Sequence, residues 1–259
     1  MFKFIRIFIL LSICAAVSFS SYRARVESVE WKYTLLVNIY PINGDASPAA
    51  EDYIRQLTVE EFKPIEDFMR KAADQYGKAG SAGIEIRLQP RLYEGPPAPP
   101  EELSGLKVMW WSLKFRWWAY RHAKVVGPGP QVRLFVQYFD PHMSRSHSST
   151  ALQQGLIGRV NVFASKEMSA KNNVIITHEF LHTLGASDKY DRSNDMPHFP
   201  DGYGEPYRAP LLPQRYAEIM GGRIVLSSSD AVIPSDFRQV LMGTKTAQEI
   251  NFLPKPQSD

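Results

Sequence analysis

Two histidines four residues apart bracket a glutamate in the run His178-Glu179-Phe180-Leu181-His182-Thr183-Leu184-Gly185-Ala186-Ser187-Asp188. On an α-helix, residues four apart stand one above the other, so His178 and His182 can offer two imidazole nitrogens to one metal ion. Glu179 points roughly 100° away around the helix, out of the ligand direction but within reach of a water on that ion. Gly185 can take the left-handed conformation that ends a helix and turns the chain back, which makes Asp188 the natural third ligand. Two neutral imidazoles and one carboxylate suit zinc, leave a coordination position for water, and keep enough positive charge to favour hydroxide. Glu179 is then placed as the general base of a hydrolysis. A structural helix that merely carries two histidines is the competing reading of the five-residue core. The glycine and aspartate at further fixed spacings argue against it. Asp191, His198, Glu205 and Glu218 stand as rival third ligands.

The elements that must hold these side chains follow from patterning. Trp31 to Tyr40 is rich in strand formers and is followed by the turn signal Pro41 to Asp45. Glu60 to Tyr76 carries apolar residues at helical spacing, with Pro64 suited to the first turn. Ile84 to Leu88 alternates as a half-buried strand, Val132 to Tyr138 reads as a third strand, and Gly158 to Phe163 as a fourth. Gly95 to Pro100 is a stiff surface loop and Ser144 to Thr150 a serine-rich one. Leu106 to Lys124 interleaves six aromatic side chains with basic ones; a helix lying across a sheet with its basic stems at the edge accounts for it, with contact to a membrane surface as the rival. The metal helix spans Val174 to Leu184, with Ile175, Ile176, Phe180, Leu181 and Leu184 as its buried flank. Lys189 to Gln214 is full of Pro, Gly, Asp and Tyr and reads as irregular. Asp191, Asp195, Asp201 and Glu205 do not match the twelve-residue calcium loop, so calcium is unsupported and they read as surface acids. Pro234-Ser235-Asp236 offers a helix start, and Phe237 to Ile250 adds helical turns.

The run from His178 to Asp188 resembles the zinc-binding signature of the metzincin metallopeptidases, in the variant with aspartate as third ligand. The resemblance implies a zincin-like α+β fold: a twisted, mostly parallel sheet of about four strands with packed helices, then an irregular carboxy-terminal subdomain. It implies one zinc ion held by His178, His182 and Asp188, with Glu179 catalytic. It also implies a methionine turn under the metal, for which Glu218-Ile219-Met220-Gly221-Gly222 is placed. Members of this group often have a tyrosine two residues after the methionine, where this chain has Gly222, so Tyr190 or Tyr216 would supply any assisting hydroxyl. The Gly158 to Phe163 strand would be the edge that pairs with an extended peptide.

Composition bounds the remainder. At 259 residues, 44% hydrophobic and 22% charged, the chain has the make-up of a globular protein with one catalytic unit. The expected division is residues 1–21 as a signal peptide or membrane anchor and 22–259 as a single catalytic domain, its upper part about 30–185 and its lower part about 186–259. Lys3 and Arg6 precede an apolar run in that first segment, which marks the protein for export, whether cleaved and secreted or retained as an anchor. These two cations account for most of a net charge of +3, which leaves too little elsewhere to argue for nucleic acid as a partner. Cys14 is the only cysteine, so the exported part has no disulfide and rests on its core and its metal. The expected function is a zinc-dependent endopeptidase acting on peptide or protein substrates outside the cytoplasm. An inactive zincin-like module that binds an envelope or extracellular protein is the alternative, and hydrolysis of another amide a third. Glu179 favours turnover, because a dead scaffold needs no base between its ligands. Substrate preference and oligomeric state are not written in the sequence.

Overall fold

A computed structural model describes residues 22–24, 26–78, 80, 83–100, 104–123, 131–143, 150–152 and 156–254, with Arg6 and Phe19. Apart from those two, the segment 1–21 read as a signal or anchor lies outside the described residues, as do 144–149 of the serine-rich loop. Among the described residues no helix is long and apolar enough to cross a membrane.

The protein is α+β. Five strands, β1 (Leu35–Asn43), β2 (Ile84–Leu88), β3 (Gln131–Phe139), β4 (Thr150–Leu152) and β5 (Ile157–Phe163), form one sheet in the order β2-β1-β3-β5-β4. The first three and β5 run parallel; β4 pairs antiparallel with β5 and closes that edge. β5 is therefore an inner strand, and the edge role expected for Gly158 to Phe163 passes to β4. The alternation of side chains along a strand sends odd and even positions to opposite faces. Val37, Ile39, Leu134, Val136, Val160 and Val162 line one face, under the helices α1 (Pro48–Gln56), α2 (Lys63–Gln75) and α4 (Ser169–Leu184). Tyr40, Ile42, Phe135 and Ile157 line the other, under α3 (Gly105–His122). Arg133 reaches from β3 to the carbonyls of Ala119 and Ala123 at the end of α3, the first of which also accepts from Ala123 N–H.

Several elements depart from the sequence reading for local reasons. The first strand starts at Leu35, because Trp31 sits at φ +57° and buries its indole against the carboxy-terminal part, donating to the Ile250 carbonyl at 2.7 Å. It also runs on through Pro41. The Ile39 and Pro41 carbonyls both accept from the Gln89–Leu92 side, so the donor that proline lacks would face the open margin beyond the end of β2. α1 was not expected at all; its start is set by Ser47, whose hydroxyl accepts from Ala50 N–H, and by Pro48 in the first turn. α4 begins at Ser169 rather than Val174. Asn172 exchanges two hydrogen bonds with the Phe163 backbone and Asn173 donates to the Glu61 carbonyl, fastening the early turns to β5 and to the segment before α2.

After α4 the chain is irregular, with short strand pairs and a last helix, α5 (Thr244–Glu249). Phe237 to Ile250 is only partly helical: a 3-10 turn at Phe237–Gln239, capped by Asp236, leads into a two-residue strand and then α5. Ile219, Met220, Val240, Met242, Ala247 and Phe252 join the same apolar core as α1, α2 and α4.

Candidate metal centre

α4 is buried almost all round, with Phe180, Leu181 and Leu184 in the core and Thr177 and Thr183 satisfied by carbonyls of the helix itself. Its imidazoles emerge where that packing opens. Ile175, expected on the buried flank, lines the opening with His178. The helix ends at Gly185, whose φ of +107° is left-handed, and Ala186 N–H closes the cap on the Leu181 carbonyl at 3.1 Å.

That reversal returns Asp188 to the histidines. Asp188 Oδ1 lies 2.9 Å from His182 Nε2 and 3.2 Å from His178 Nε2, and the two Nε2 atoms are 3.1 Å apart. Each ring is oriented by its other nitrogen: His178 Nδ1 meets the Ile219 carbonyl at 2.9 Å and His182 Nδ1 the Ala186 carbonyl at 2.8 Å. A carbonyl only accepts, so both Nδ1 atoms carry hydrogen and both Nε2 lone pairs of the neutral rings face inward. Three electron-rich atoms within 3.2 Å of one another repel unless a cation lies among them. Their separations approach the roughly 3.3 Å expected between ligand atoms about 2.0–2.1 Å from a tetrahedral ion. The residues fit a metal.

Two carboxylates approach the pair and they differ. Glu179 groups with His178 and His182 within 4.8 Å. Asp188 is nearer to both nitrogens, and its second oxygen, Oδ2, accepts from Arg192 at 2.7 Å. Burial alone would raise the Asp188 carboxyl, but the surrounding His178, His182 and Arg192 hold it well below the usual carboxylate range. Glu179 is 7% exposed, and its Oε2 has no hydrogen-bond partner among the described residues. Burial pushes its carboxyl up against the pull of the two imidazoles. Burial likewise disfavours charge on His178, yet Asp188, Glu179 and the Ile219 carbonyl outweigh it and leave that imidazole raised. One carboxylate is thus fully engaged by the cluster and the other is left with an acceptor to fill.

The rivals for third ligand lie elsewhere. Asp191 accepts from Ser193, Glu205 is paired with Arg215, and His198 is exposed. Glu218 is fully buried and accepts from Met220 N–H, Gly221 N–H, Gly243 N–H and the Thr246 hydroxyl. It thereby shapes the Glu218 to Gly222 turn and ties it to α5, while Ile219 offers its carbonyl to His178 and Met220 is 0% exposed. The acids weighed for calcium are mostly engaged by protein donors, Asp195 by Arg223 among them.

The cluster opens on a cleft of about 210 Å³ lined by His178, Glu179, Tyr190, Ile219, Gly222 and Arg223, among others. The Tyr190 ring centroid is 6.3 Å from that of His178, and burial, with the charge of Asp188, pushes its hydroxyl up to about 12. Tyr216 is not among the lining residues; its segment is drawn to the chain at Tyr203 and Gly204, against which its own carbonyl packs. Sequence reasoning missed Arg192, Lys189 and Glu249. Lys189 is 4% exposed, with Nζ on the Ser187 carbonyl and on Glu249 at 2.8 Å, and Glu249 also accepts from Ser187 N–H and Oγ. Arg192 was detectable as a cation four residues past Asp188, whereas nothing local announces a pair 60 residues apart.

No family model matches the chain, and no curated protein matches it. Among solved structures it is similar to OgpA from Akkermansia muciniphila, at 13% identity and a TM-score of 0.40, covering 87% of this chain and 63% of that one. This chain thus spans under two thirds of the length of that structure, and at such a distance none of OgpA's chemistry transfers to it.

Proposed function

We propose that the protein is a zinc metalloendopeptidase of the metzincin type, exported and acting on peptide bonds outside the cytoplasm. The observation that carries this reading is the triangle of lone-pair atoms from His178, His182 and Asp188, set beside a buried Glu179 carboxylate oxygen without a partner among the described residues. Zinc bound there would supply a Lewis acid and an acidified water. Glu179 faces the same cleft as His178 and, with one oxygen unengaged among the described residues, takes a proton from the attacking water and returns it to the leaving amine. Tyr190, protonated across the neutral range, offers an O–H toward the carbonyl oxygen as charge develops on it. An extended substrate would add to the sheet at its β4 edge, the outermost strand among the described residues. The basic and then apolar sequence of residues 1–21 supports export. Residues 22–259 form the catalytic domain in this reading, with the methionine turn at Met220 seating His178.

The test joins metal content to turnover. Purified wild type and Glu179→Gln should each hold one zinc, and hydrolysis of a broad peptide library should fall by about 10²–10⁴-fold in the variant. Undiminished turnover by zinc-loaded Glu179→Gln would remove the base from the mechanism. A wild type that holds zinc and cleaves no peptide would favour the binding module.

A further inference from the structure

Helix α3 has two apolar faces. One, made by Trp111, Phe115 and Ala119, is sealed against the sheet. The other is in solvent: Leu106, Met109, Trp110, Leu113, Trp117 and Tyr120 are each at least half exposed, Trp110 and Trp117 at 61%. At about 100° per residue these six fall in one arc roughly 100° wide, on the side away from the sealed face. Lys107, Lys114 and Arg121 follow one border of the arc and Arg116 lies on the other, and the helix holds no acidic residue. One border touches the stripe, with Lys114 Nζ 5.6 Å from the Trp110 ring centroid, and within the stripe the Trp117 and Tyr120 rings stack at 6.0 Å.

A continuous exposed stripe of this kind marks a surface that is covered in use, and its composition and charge indicate by what. Tryptophan and tyrosine favour the boundary between headgroups and acyl chains, and lysine and arginine beside them bury their stems while their heads meet anionic lipid. A second copy seated on the same stripe would bring the basic borders of both copies together. Single-stranded nucleic acid is gripped by a basic groove with aromatics inside it, the reverse of an apolar centre with cations at its rim. We propose that α3 seats this protein on an anionic lipid bilayer through its outer stripe. α4 packs on the opposite face of the sheet, so the His178 and His182 cluster stays uncovered in this pose. The proposal does not depend on hydrolysis.

The test reads lipid contact at α3 itself, in the full chain, so that contact made elsewhere does not imitate it. Vesicles of phosphatidylcholine with brominated acyl chains, with and without phosphatidylserine, quench tryptophans that enter the bilayer. Wild type should be quenched strongly by the anionic vesicles and weakly by the neutral ones. Trp110→Phe with Trp117→Phe should lose most of that quenching. Leu106→Ser, Leu113→Ser and Tyr120→Ser combined, which keep all five tryptophans, should abolish it. Lys107→Gln, Lys114→Gln and Arg121→Gln together should weaken it by roughly 100-fold in lipid concentration. All of these positions are exposed, and circular dichroism should match wild type. Absence of quenching in wild type, equal quenching by neutral vesicles, or quenching that survives loss of both tryptophans would overturn the proposal, as would a dimer that the serine variant dissolves.

Discussion

Asp188 shows how finely one side chain divides its work: Oδ1 faces both histidines and Oδ2 is held by Arg192. If Asp188 is the third ligand, Asp188→Ala removes one of three metal bonds and should lower zinc affinity by orders of magnitude, measured by competition with a chromogenic chelator. Arg192 only orients the carboxylate from an exposed position, so Arg192→Ala should cost roughly 10-fold in the same assay and leave the fold intact. An Asp188→Ala protein that binds zinc like wild type would transfer the ligand role, with Glu179 the nearest candidate. The positions of His178, Glu179, His182 and Asp188 were legible because helix geometry and one glycine fix them over a few residues. The bond that aims His178 was not, because the Ile219 carbonyl comes from 41 residues away and a backbone acceptor has no residue-type signature.

At the scale of elements, the segment after α4 is held as much by Lys189 as by the glycine turn. Its backbone N–H donates to the Met220 carbonyl and its ammonium is buried against Glu249 on α5. Glu249→Gln leaves that ammonium on the Ser187 carbonyl without its counter-charge, which should cost about 2–3 kcal/mol in denaturant unfolding, somewhat less than for a fully buried pair because Glu249 keeps some solvent. Burial raises the Glu249 carboxyl, but the bonds from Lys189 and Ser187 win and lower it. Its folded pKa therefore lies below the unfolded value of about 4.3. The stabilisation is complete above that value and is lost as pH falls through the folded pKa, so wild type and Glu249→Gln should converge in stability in acid. A gap between them that stays constant down to pH values well under 4 would show that the pair contributes through packing alone. Most sheet elements and α2 were legible from periodicity. α1 was missed because its apolar positions are few and its cap, Ser47-Pro48, follows a turn directly. β4 was missed because three residues carry no period to read.

In the whole molecule, the cluster joins two bodies of structure made in different ways. His178 and His182 are fixed by a helix packed on the sheet, whereas Asp188 opens an irregular stretch with little regular hydrogen bonding of its own. That stretch is held by long-range ties: Trp31 to the Ile250 carbonyl, Tyr76 to the Met242 carbonyl, and the four donors on Glu218. Sequence patterning could describe the region only as irregular, because its order comes from partners as much as 219 positions apart. A metal in the triangle would be one more such tie, and its removal would leave three lone-pair atoms facing one another. Chelation should therefore lower the thermal midpoint by on the order of 10 °C, with recovery on adding one equivalent of zinc and no response in His182→Ala. The loss should also be uneven. Amide hydrogen exchange should accelerate through 185–222 while β1, β3 and β5, whose core contains no ligand, keep their protection. Uniform acceleration across the sheet would mean that the metal holds the whole fold rather than its carboxy-terminal part, and an unchanged midpoint would mean that the cluster binds no metal in the folded protein.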